Sequence, residues 1–394
     1  MNFEGIYTNY KNDLINDTLP FWVNNCIDYK DGGFNFALDE KGKIFDTDKG
    51  VWGHGRFVWT LSTAYLDIQQ NQEWLNLARH GLVFLKKHAF DTDGRMFFSL
   101  DKKGNPLRKR RYIFSEAFMV MGLAAFSRAS GESKYAQEAL ALFRLMDKYL
   151  TTPGLLPPKY TDHRQSKGLA IPMIMIVVAQ ELRKVIDDPL ITKWIDHSIT
   201  EIENDFLKEE YKAVLEMVGP KGEFIDSCNG RLLNPGHAIE AAWFILHESK
   251  YRNNDTYLRN LGLKILDYMW EWAWDLKYGG ILYYRDVLNR PPTEYWHDMK
   301  FWWNHNEAII ATLSAYQMTG NKKYARWHRL VHEWSYQHFP DKENGEWYGY
   351  LHRDGSISTP IKGNSIWKGP FHLPRMQWYC SLLIDEMKEN GVPQ

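Results

Sequence analysis

One design recurs along the chain and limits what it can fold into. The stretches from Gln70 (QNQEWLNLARHGLVFL), Ser130 (SGESKYAQEALALF) and Thr319 (TGNKKYARWHRLVH) each end one helix, turn in a few polar residues and start another with an aromatic near its head. The segment from Glu248 (ESKYRNNDTYLRNLGLKIL) is a looser copy. These short turns alternate with long, glycine-bearing, strand-like connections: DGGFNFALDEKGKIFD from Asp31, DGRMFFSLDKKGNPLR from Asp93, YGGILYYRDVLNRP from Tyr278 and NGEWYGYLHRDGSIST from Asn344. Each alternates apolar and polar residues around a turn, the pattern of a small hairpin. Helical periodicity dominates elsewhere: Phe57, Leu61, Tyr65 and Ile68 make one stripe, and Tyr135, Leu140, Phe143, Met146 and Leu150 another.

The count is about twelve helical segments in about six hairpins of roughly 60 residues each, longer than the helix pairs of common solenoids. Short turns at one end and long loops at the other predict an all-α fold, a closed (α/α)6 barrel with small β-hairpins in the long loops. Residues 1–394 are expected to form a single catalytic domain. Closure is preferred to an open solenoid because neither terminal segment reads as a polar cap. Loops gathered at one end of a rigid scaffold predict the site there.

Composition removes several partners. Net charge is −1, with both signs spread along 394 residues of which 44% are hydrophobic. A nucleic-acid or membrane-surface partner calls for a basic excess instead. The single basic run, Arg108 to Arg111, is short and reads as a solvated face or loop. Cys26, Cys228 and Cys380 are far apart and odd in number, so they imply neither a disulfide framework nor a metal motif. The start, MNFEGIYTNYKNDL, lacks the basic and apolar regions of a signal peptide. The longest apolar run, Leu169 to Ala179, is too short to cross a bilayer. These features predict a cytoplasmic protein. Aromatics are abundant, with 17 Trp, 22 Tyr and 20 Phe. A packed core uses most of them, and rings that stack on sugars would also require them.

No metal or phosphate motif survives inspection. His328 and His332 sit four apart, but HRLVH lacks the glutamate of HExxH, and the neighbours Arg326 and Arg329 predict a solvated helix face. His297 and His305 could share a helical face, yet two histidines do not complete a metal site. Four stretches are odder. VWGHGRFVW sets His54 and Arg56 ahead of an apolar helix. NPGHAIE does so with His237 and Glu240, FWWNHNEAI with Trp302, His305 and Glu307, and GPFHLPR with His372 and Arg375. Any one could be helix capping plus a satisfied core histidine. Four at corresponding places in the repeat point into one cavity, where capping alone would leave several buried polar groups unpaired. Histidine, glutamate, arginine and tryptophan around a cavity suit a neutral polyol, and histidine suits proton transfer near neutrality.

The same stretches, with GGFNFALDEKGKIFDTDKGVW, RRYIFSEAF and GEWYGYLHRDG, resemble the N-acylglucosamine 2-epimerase family over nearly the whole chain. That family also holds cellobiose 2-epimerases and aldose–ketose isomerases of the mannose isomerase type. NPGH together with FHxPR is specific to the N-acylglucosamine branch. The resemblance implies an (α/α)6 barrel and interconversion of C2 epimers, or of aldose and ketose, with no redox cofactor. It implies His237 and His372 as the proton-transfer pair, and Arg56, Glu240, Glu307 and Arg375 as residues that hold the substrate. His54 and Trp302 join that set from their places at the helix heads. His54 departs from the family motif, so the pocket beside Arg56 is expected to differ. Some members take ATP as an activator. TDHRQSKGLAIPM, where such a site is expected, has no glycine-rich loop, which argues against ATP dependence.

The expected chemistry follows. The C2 hydrogen of an open-chain aldose is acidified by the aldehyde, and its removal leaves a planar enediolate. Reprotonation on the opposite face gives the epimer; on C1 it gives the ketose. Bases on opposite walls provide for inversion, with Arg56 or Arg375 stabilising the oxyanion. The expected substrate pair is N-acetyl-D-glucosamine and N-acetyl-D-mannosamine. Epimerisation or isomerisation of unacylated mannose, glucose or cellobiose is the alternative. Two other classes stay open. A glycoside hydrolase or lyase on the same barrel would need paired carboxylates, for which the hairpins offer Asp31 and Asp93. A protein-binding module would show an exposed apolar patch. A homodimer is compatible with the sequence.

Overall fold

The computed structural model describes residues 4–393. Helix α1 (Glu4–Asp13) runs through a π-helical turn (Leu14–Thr18) into α2 (Leu19–Asn25), making one broken rod. Hairpins follow: α3 (Val51–Asp67) with α4 (Gln72–His88), α5 (Phe114–Ser130) with α6 (Lys134–Thr151), and α7 (Ala170–Leu182) with α8 (Pro189–Glu201). Then come α9 (Pro235–Tyr251) with α10 (Thr256–Ala273), and α11 (Trp302–Thr319) with α12 (Lys322–His338). The last helix, α13 (His372–Asn390), packs on the opening rod and completes the sixth pair. Helices α3, α5, α7, α9, α11 and α13 touch in that order, and α13 meets α3 again, so the inner ring closes. This is the (α/α)6 barrel expected from the repeat.

Sequence pattern separates the rings. Inner α5 is buried from Ser115 to Ser127 and α11 from Trp302 to Ala315 without a break. Outer α4 buries one stripe, including Trp74, Ala78, Leu82 and Leu85, as a helix with a single packed face does. Asn71 and Asn321 cap the outer helices by accepting the N–H of Glu73 and Lys323. Gly131 and Gly320 end the inner helices in the left-handed conformation. Helices α3 and α5 approach closely, because a Cβ on Gly55 would lie 2.7 Å from the Phe118 backbone. That closeness seats Phe118 beside Arg56.

Every long connection runs from an outer helix into the head of an inner one, so the long loops share one end of the barrel. The expected hairpins are present but short: Leu38 bridges Ile44, Phe90 bridges Met96, and Tyr350–Leu351 pairs with Ile357–Thr359. Much of the pairing joins neighbouring loops instead. Lys49–Gly50 pairs with Ser99–Leu100, Lys167–Gly168 with Met217–Val218, Leu232–Leu233 with Arg285–Asp286, and Lys300–Phe301 with Tyr350–Leu351. In each case the residues just before an inner helix are tied to the next long loop.

Side chains near three inner-helix heads secure the loops further. His54 Nε2 accepts the Phe34 N–H (2.9 Å) while its Nδ1 donates to the Gly50 carbonyl (2.8 Å). His305 repeats the arrangement with Ile281 (2.8 Å) and Phe301 (2.6 Å). In α5 the equivalent acceptor is Glu116, which takes the Met96 N–H at 2.8 Å. His54 is therefore corrected from a substrate-binding residue to a structural latch: it is buried, both ring nitrogens are engaged, and it does not line the cavity. Burial pushes its pKa down to about 3, so it stays neutral.

His328 and His332 also depart from expectation. Instead of facing solvent they are buried beneath the N-terminal rod, where the Tyr10 hydroxyl lies 2.8 Å from His332 Nδ1 and 3.3 Å from His328 Nε2. Arg326 and Arg329 take the solvent side of α12. The periodicity of α12 decides the matter, since His328 and His332 share a stripe with buried Tyr324 and Val331. Among the described residues, no helix is long and apolar enough to cross a membrane.

Candidate active site

The heads of all six inner helices line a cavity of about 1050 Å³. Its walls carry Trp52 and Arg56 from α3, Phe114 and Phe118 from α5, and Ile171 to Ile174 from α7. Opposite stand His237 and Glu240 from α9, Trp302 and Trp303 from α11, and His372 and Arg375 from α13.

Asn234 caps α9 by accepting the His237 N–H at 3.3 Å, and Pro235 sets the first turn. The His237 ring then meets Glu216, a residue of the long loop before α9, with Nδ1 3.0 and 3.1 Å from the two carboxylate oxygens. Nδ1–H donates to that carboxylate. Burial alone would lower the pKa of His237, but Glu216 outweighs it, with help from Glu240 and Glu307, and the net shift is upward.

His372 opens α13, and its Nδ1 lies 2.7 Å from Glu307 Oε1. Glu307 also accepts from Trp243 Nε1 at 2.8 Å and from Arg375 Nη2 at 2.7 Å. Arg375 reaches Glu240 as well. Burial and then the Arg375 charge hold His372 well below the ordinary histidine range, so its imidazole is neutral. The Trp303 ring lies against both histidines, 5.1 Å from His237 and 5.7 Å from His372 between ring centres. Glu240, Glu307 and His372 converge closely enough to hold a cation. The cation between the two carboxylates is the Arg375 guanidinium.

Arg56 is arranged differently. Its guanidinium packs on Phe118 (4.1 Å) and Phe371 (5.1 Å), and among the described residues no carboxylate pairs with it. One N–H reaches the Trp367 carbonyl at 3.5 Å, and Nε is buried with no acceptor. Burial pulls its pKa down to about 9. The Trp302 indole N–H likewise meets no acceptor. Arg110, from the basic run, stacks on Phe98 at 3.9 Å and lines the cavity. The rest of that run behaves as a loop, with Lys109 tied to Asp91 and Asp93.

Pairing accounts for the carboxylates on the wall: Glu201 with Lys167, Glu216 with His237, and Glu240 with Arg375. Among the described residues, Arg56, Arg110 and Lys159 are the lining cations without a carboxylate partner. With six helix N-termini aimed at the same space, the field in the cavity favours negative charge.

The structure thus brings together His237, His372, Arg56, Glu240, Glu307, Arg375 and Trp302, and leaves His54 outside. Sequence reasoning missed Glu216, Trp303 and Arg110. Trp303 was legible from its neighbour Trp302. Glu216 carried no signal, because EMVGPKGEF has neither motif nor periodicity.

Comparison with known proteins gives the family. The family model described as N-acylglucosamine 2-epimerase (GlcNAc 2-epimerase) matches residues 32–368. The N-acylglucosamine 2-epimerase of Bos taurus is 32% identical over 82% of this chain and 78% of its own length. The cellobiose 2-epimerase of Dictyoglomus turgidum is 24% identical over 79% of this chain and 82% of its own. The solved cellobiose 2-epimerase of Bacillus thermoamylovorans superposes with a TM-score of 0.84 at 22% identity, covering 98% of this chain and 100% of that one. The chain belongs to the N-acylglucosamine 2-epimerase family, and it is a sugar epimerase of the isomerase class.

Proposed function

We propose that this protein interconverts N-acetyl-D-glucosamine and N-acetyl-D-mannosamine by moving a proton at C2, with His237 and His372 as the two bases. The observation that carries this reading is the pair itself. Each Nδ1 is anchored on a carboxylate, each Nε2 has no hydrogen-bond partner among the described residues, and both rings flank Trp303 in one cavity. In the open-chain sugar, neutral His372 takes the C2 proton of one epimer. The C–H electron pair delocalises onto the C1 oxygen, forming a planar enolate. Arg56 and the helix N-termini favour that oxyanion, because they sit in a low-dielectric site and, among the described residues, no carboxylate pairs with Arg56. His237 then delivers its Nε2 proton to the opposite face of C2 and the aldehyde is restored.

The reading needs neither metal nor ATP. Arg375 already neutralises Glu240 and Glu307, so activity is expected to survive prolonged EDTA treatment. Gly168 is the sole glycine in 161–173, which is therefore not a glycine-rich loop. Glycoside hydrolysis is disfavoured because it requires an acid and a base carboxylate, whereas each carboxylate on the wall is paired with a cation.

Cavity size favours a second reading. A volume of about 1050 Å³ lies at the upper end of small-ligand sites and leaves room for a disaccharide such as cellobiose. Incubation with N-acetylmannosamine, mannose and cellobiose, followed by proton NMR, decides between them. Inversion of N-acetylmannosamine alone is expected. Preferred turnover of cellobiose moves the substrate to the second reading, and inversion of no sugar removes both.

A further inference from the structure

We propose that Glu216 is a positioning residue for His237, fixing the imidazole with Nδ1–H on its carboxylate and Nε2 toward the cavity, and keeping the proton of the histidine pair on His237 in the free enzyme. The proposal rests on the epimerase reading above. Glu216 is pinned by its own backbone, because its N–H donates to the Leu232 carbonyl (3.1 Å) and its carbonyl accepts the Leu169 N–H (3.1 Å). The carboxylate is therefore launched from a segment tied to the heads of both α7 and α9, and it does not depend on the His237 rotamer for its place.

The carboxylates behind the two histidines differ. Glu307 also binds the Arg375 guanidinium and the Trp243 indole, so much of its charge is already answered before His372 is counted. Among the described residues, His237 is the only ion-pair partner of Glu216, and both oxygens face it. The other titratable groups around the pair are Glu240 on α9, Glu307 on α11, His372 and Arg375 on α13, Arg56 on α3, and Tyr283 and Tyr284 from the loop before α11, which face Glu216 and are raised, so they stay neutral. Glu240 and Glu307 reinforce the charge on His237, while Arg375 and Arg56 act against charge on His372. Glu240 also favours charge on His372, but burial and the Arg375 charge outweigh it, so the balance keeps the shared proton on His237.

Proton bookkeeping turns this into a kinetic statement. One turnover moves a proton from C2 to His372 and another from His237 to C2, so the enzyme ends with its proton on His372. Solvent must return it to His237 before the next identical turnover. The two epimers therefore use two forms that hold the same number of protons, and the ratio of those forms is independent of pH. Profiles of kcat/KM in the two directions must rise and fall together. The acid limb is protonation of His372, and the alkaline limb is loss of the proton from His237.

The test is Glu216→Gln, which keeps the size and an acceptor but removes the charge. The alkaline limb of kcat/KM is expected to move down by about one pH unit or more, equally in both directions, while the acid limb stays. Glu216→Asp keeps the charge at a longer distance and is expected to move the limb less; should the glutamine variant not fold, the aspartate variant is read in its place. A second readout needs no turnover: NMR titration of ¹³Cε1-labelled histidine, with the His237 signal identified by its loss in His237→Asn. That signal should titrate at lower pH in the glutamine variant. A uniform fall in kcat/KM with unmoved limbs and an unmoved His237 titration overturns the proposal. Wild-type protein that inverts no sugar overturns the epimerase reading instead, and the titration still decides the assignment of Glu216.

Discussion

Arg56 and Arg375 carry the same charge in the same cavity, yet their surroundings set them to different tasks. Arg375 bridges two carboxylates and is part of the frame that orients His372. Arg56 lies between aromatic faces with its donors mostly unspent. Arg56→Lys keeps a charge but loses the planar fork that can hold an oxyanion through two donors. Steady-state kinetics should show kcat/KM down about 100-fold, the scale of losing an oxyanion donor. A lysine variant as fast as the parent removes Arg56 from that task. The histidines allow a sharper test. Replacing either with asparagine is expected to lower epimerisation by at least ~100-fold, because the full path needs both bases. The remaining base should still exchange the C2 hydrogen of one epimer in heavy water and return that same epimer. The two variants should show mirror patterns by proton NMR. Near-normal turnover in one variant makes that histidine structural.

At the scale of the element, helix heads were legible in the sequence but their division of labour was not. His54, His237, His305 and His372 all stand near the start of an inner helix, yet two serve the cavity and two serve the loops. His372 is the first residue of α13 and His237 the third of α9, both facing the cavity, while His54 and His305 are each the fourth residue of their helix and turn outward beneath the preceding loop. Which way a ring points depends on what the incoming loop offers. At His54 and His305 it offers a backbone N–H beside paired glycines, Gly32–Gly33 and Gly279–Gly280, all at positive φ. The GG dipeptides in both loops were a usable signal for this latch. His54→Ala leaves the Phe34 N–H buried without a partner and opens a cavity under Phe84, so a loss of about 2–4 kcal/mol is expected. Thermal unfolding should report that loss while kcat/KM at low temperature stays close to the parent value. An intact melting temperature with a large rise in KM would return His54 to the substrate-binding set.

For the whole molecule, the alternation of short and long connections carried the architecture, because each connection type can join only one end of a helix pair to the next. The stitching between successive long loops was not legible, since two-residue strands such as Lys49–Gly50 and Ser99–Leu100 leave no periodic trace. Nor was the burial of His328 and His332, where flanking arginines masked a packed stripe that only the N-terminal rod reveals. That burial has a consequence for stability. His54, His305, His328 and His332 are buried, and burial lowers all their pKa values, to about 3 for His54 and His328 and about 4 for His332. Unfolding returns each to about 6.5. Between about pH 6.5 and 4 the unfolded chain therefore binds protons that the folded chain does not, so stability is full above that window and falls as pH drops through it. Each histidine contributes a slope of up to about 1.4 kcal/mol per pH unit. Asp13 opposes them, because burial raises it to about 6 and the fold gains from its protonation in the same window. His247, lowered to about 4, and His372 side with the four histidines, while burial raises Asp17, Asp67, Glu307 and Glu346 alongside Asp13, so the net slope is the difference between the two sets. Urea unfolding followed from pH 7.5 to 4.5 should show the midpoint falling just below pH 6.5, where the histidines begin to bind protons in the unfolded chain and Asp13, at about 6, does not yet oppose them. His332→Gln, which cannot titrate, should make that slope shallower by about one proton's worth relative to the parent. A slope that His332→Gln leaves unchanged would mean that His332 does not stay neutral in the folded protein.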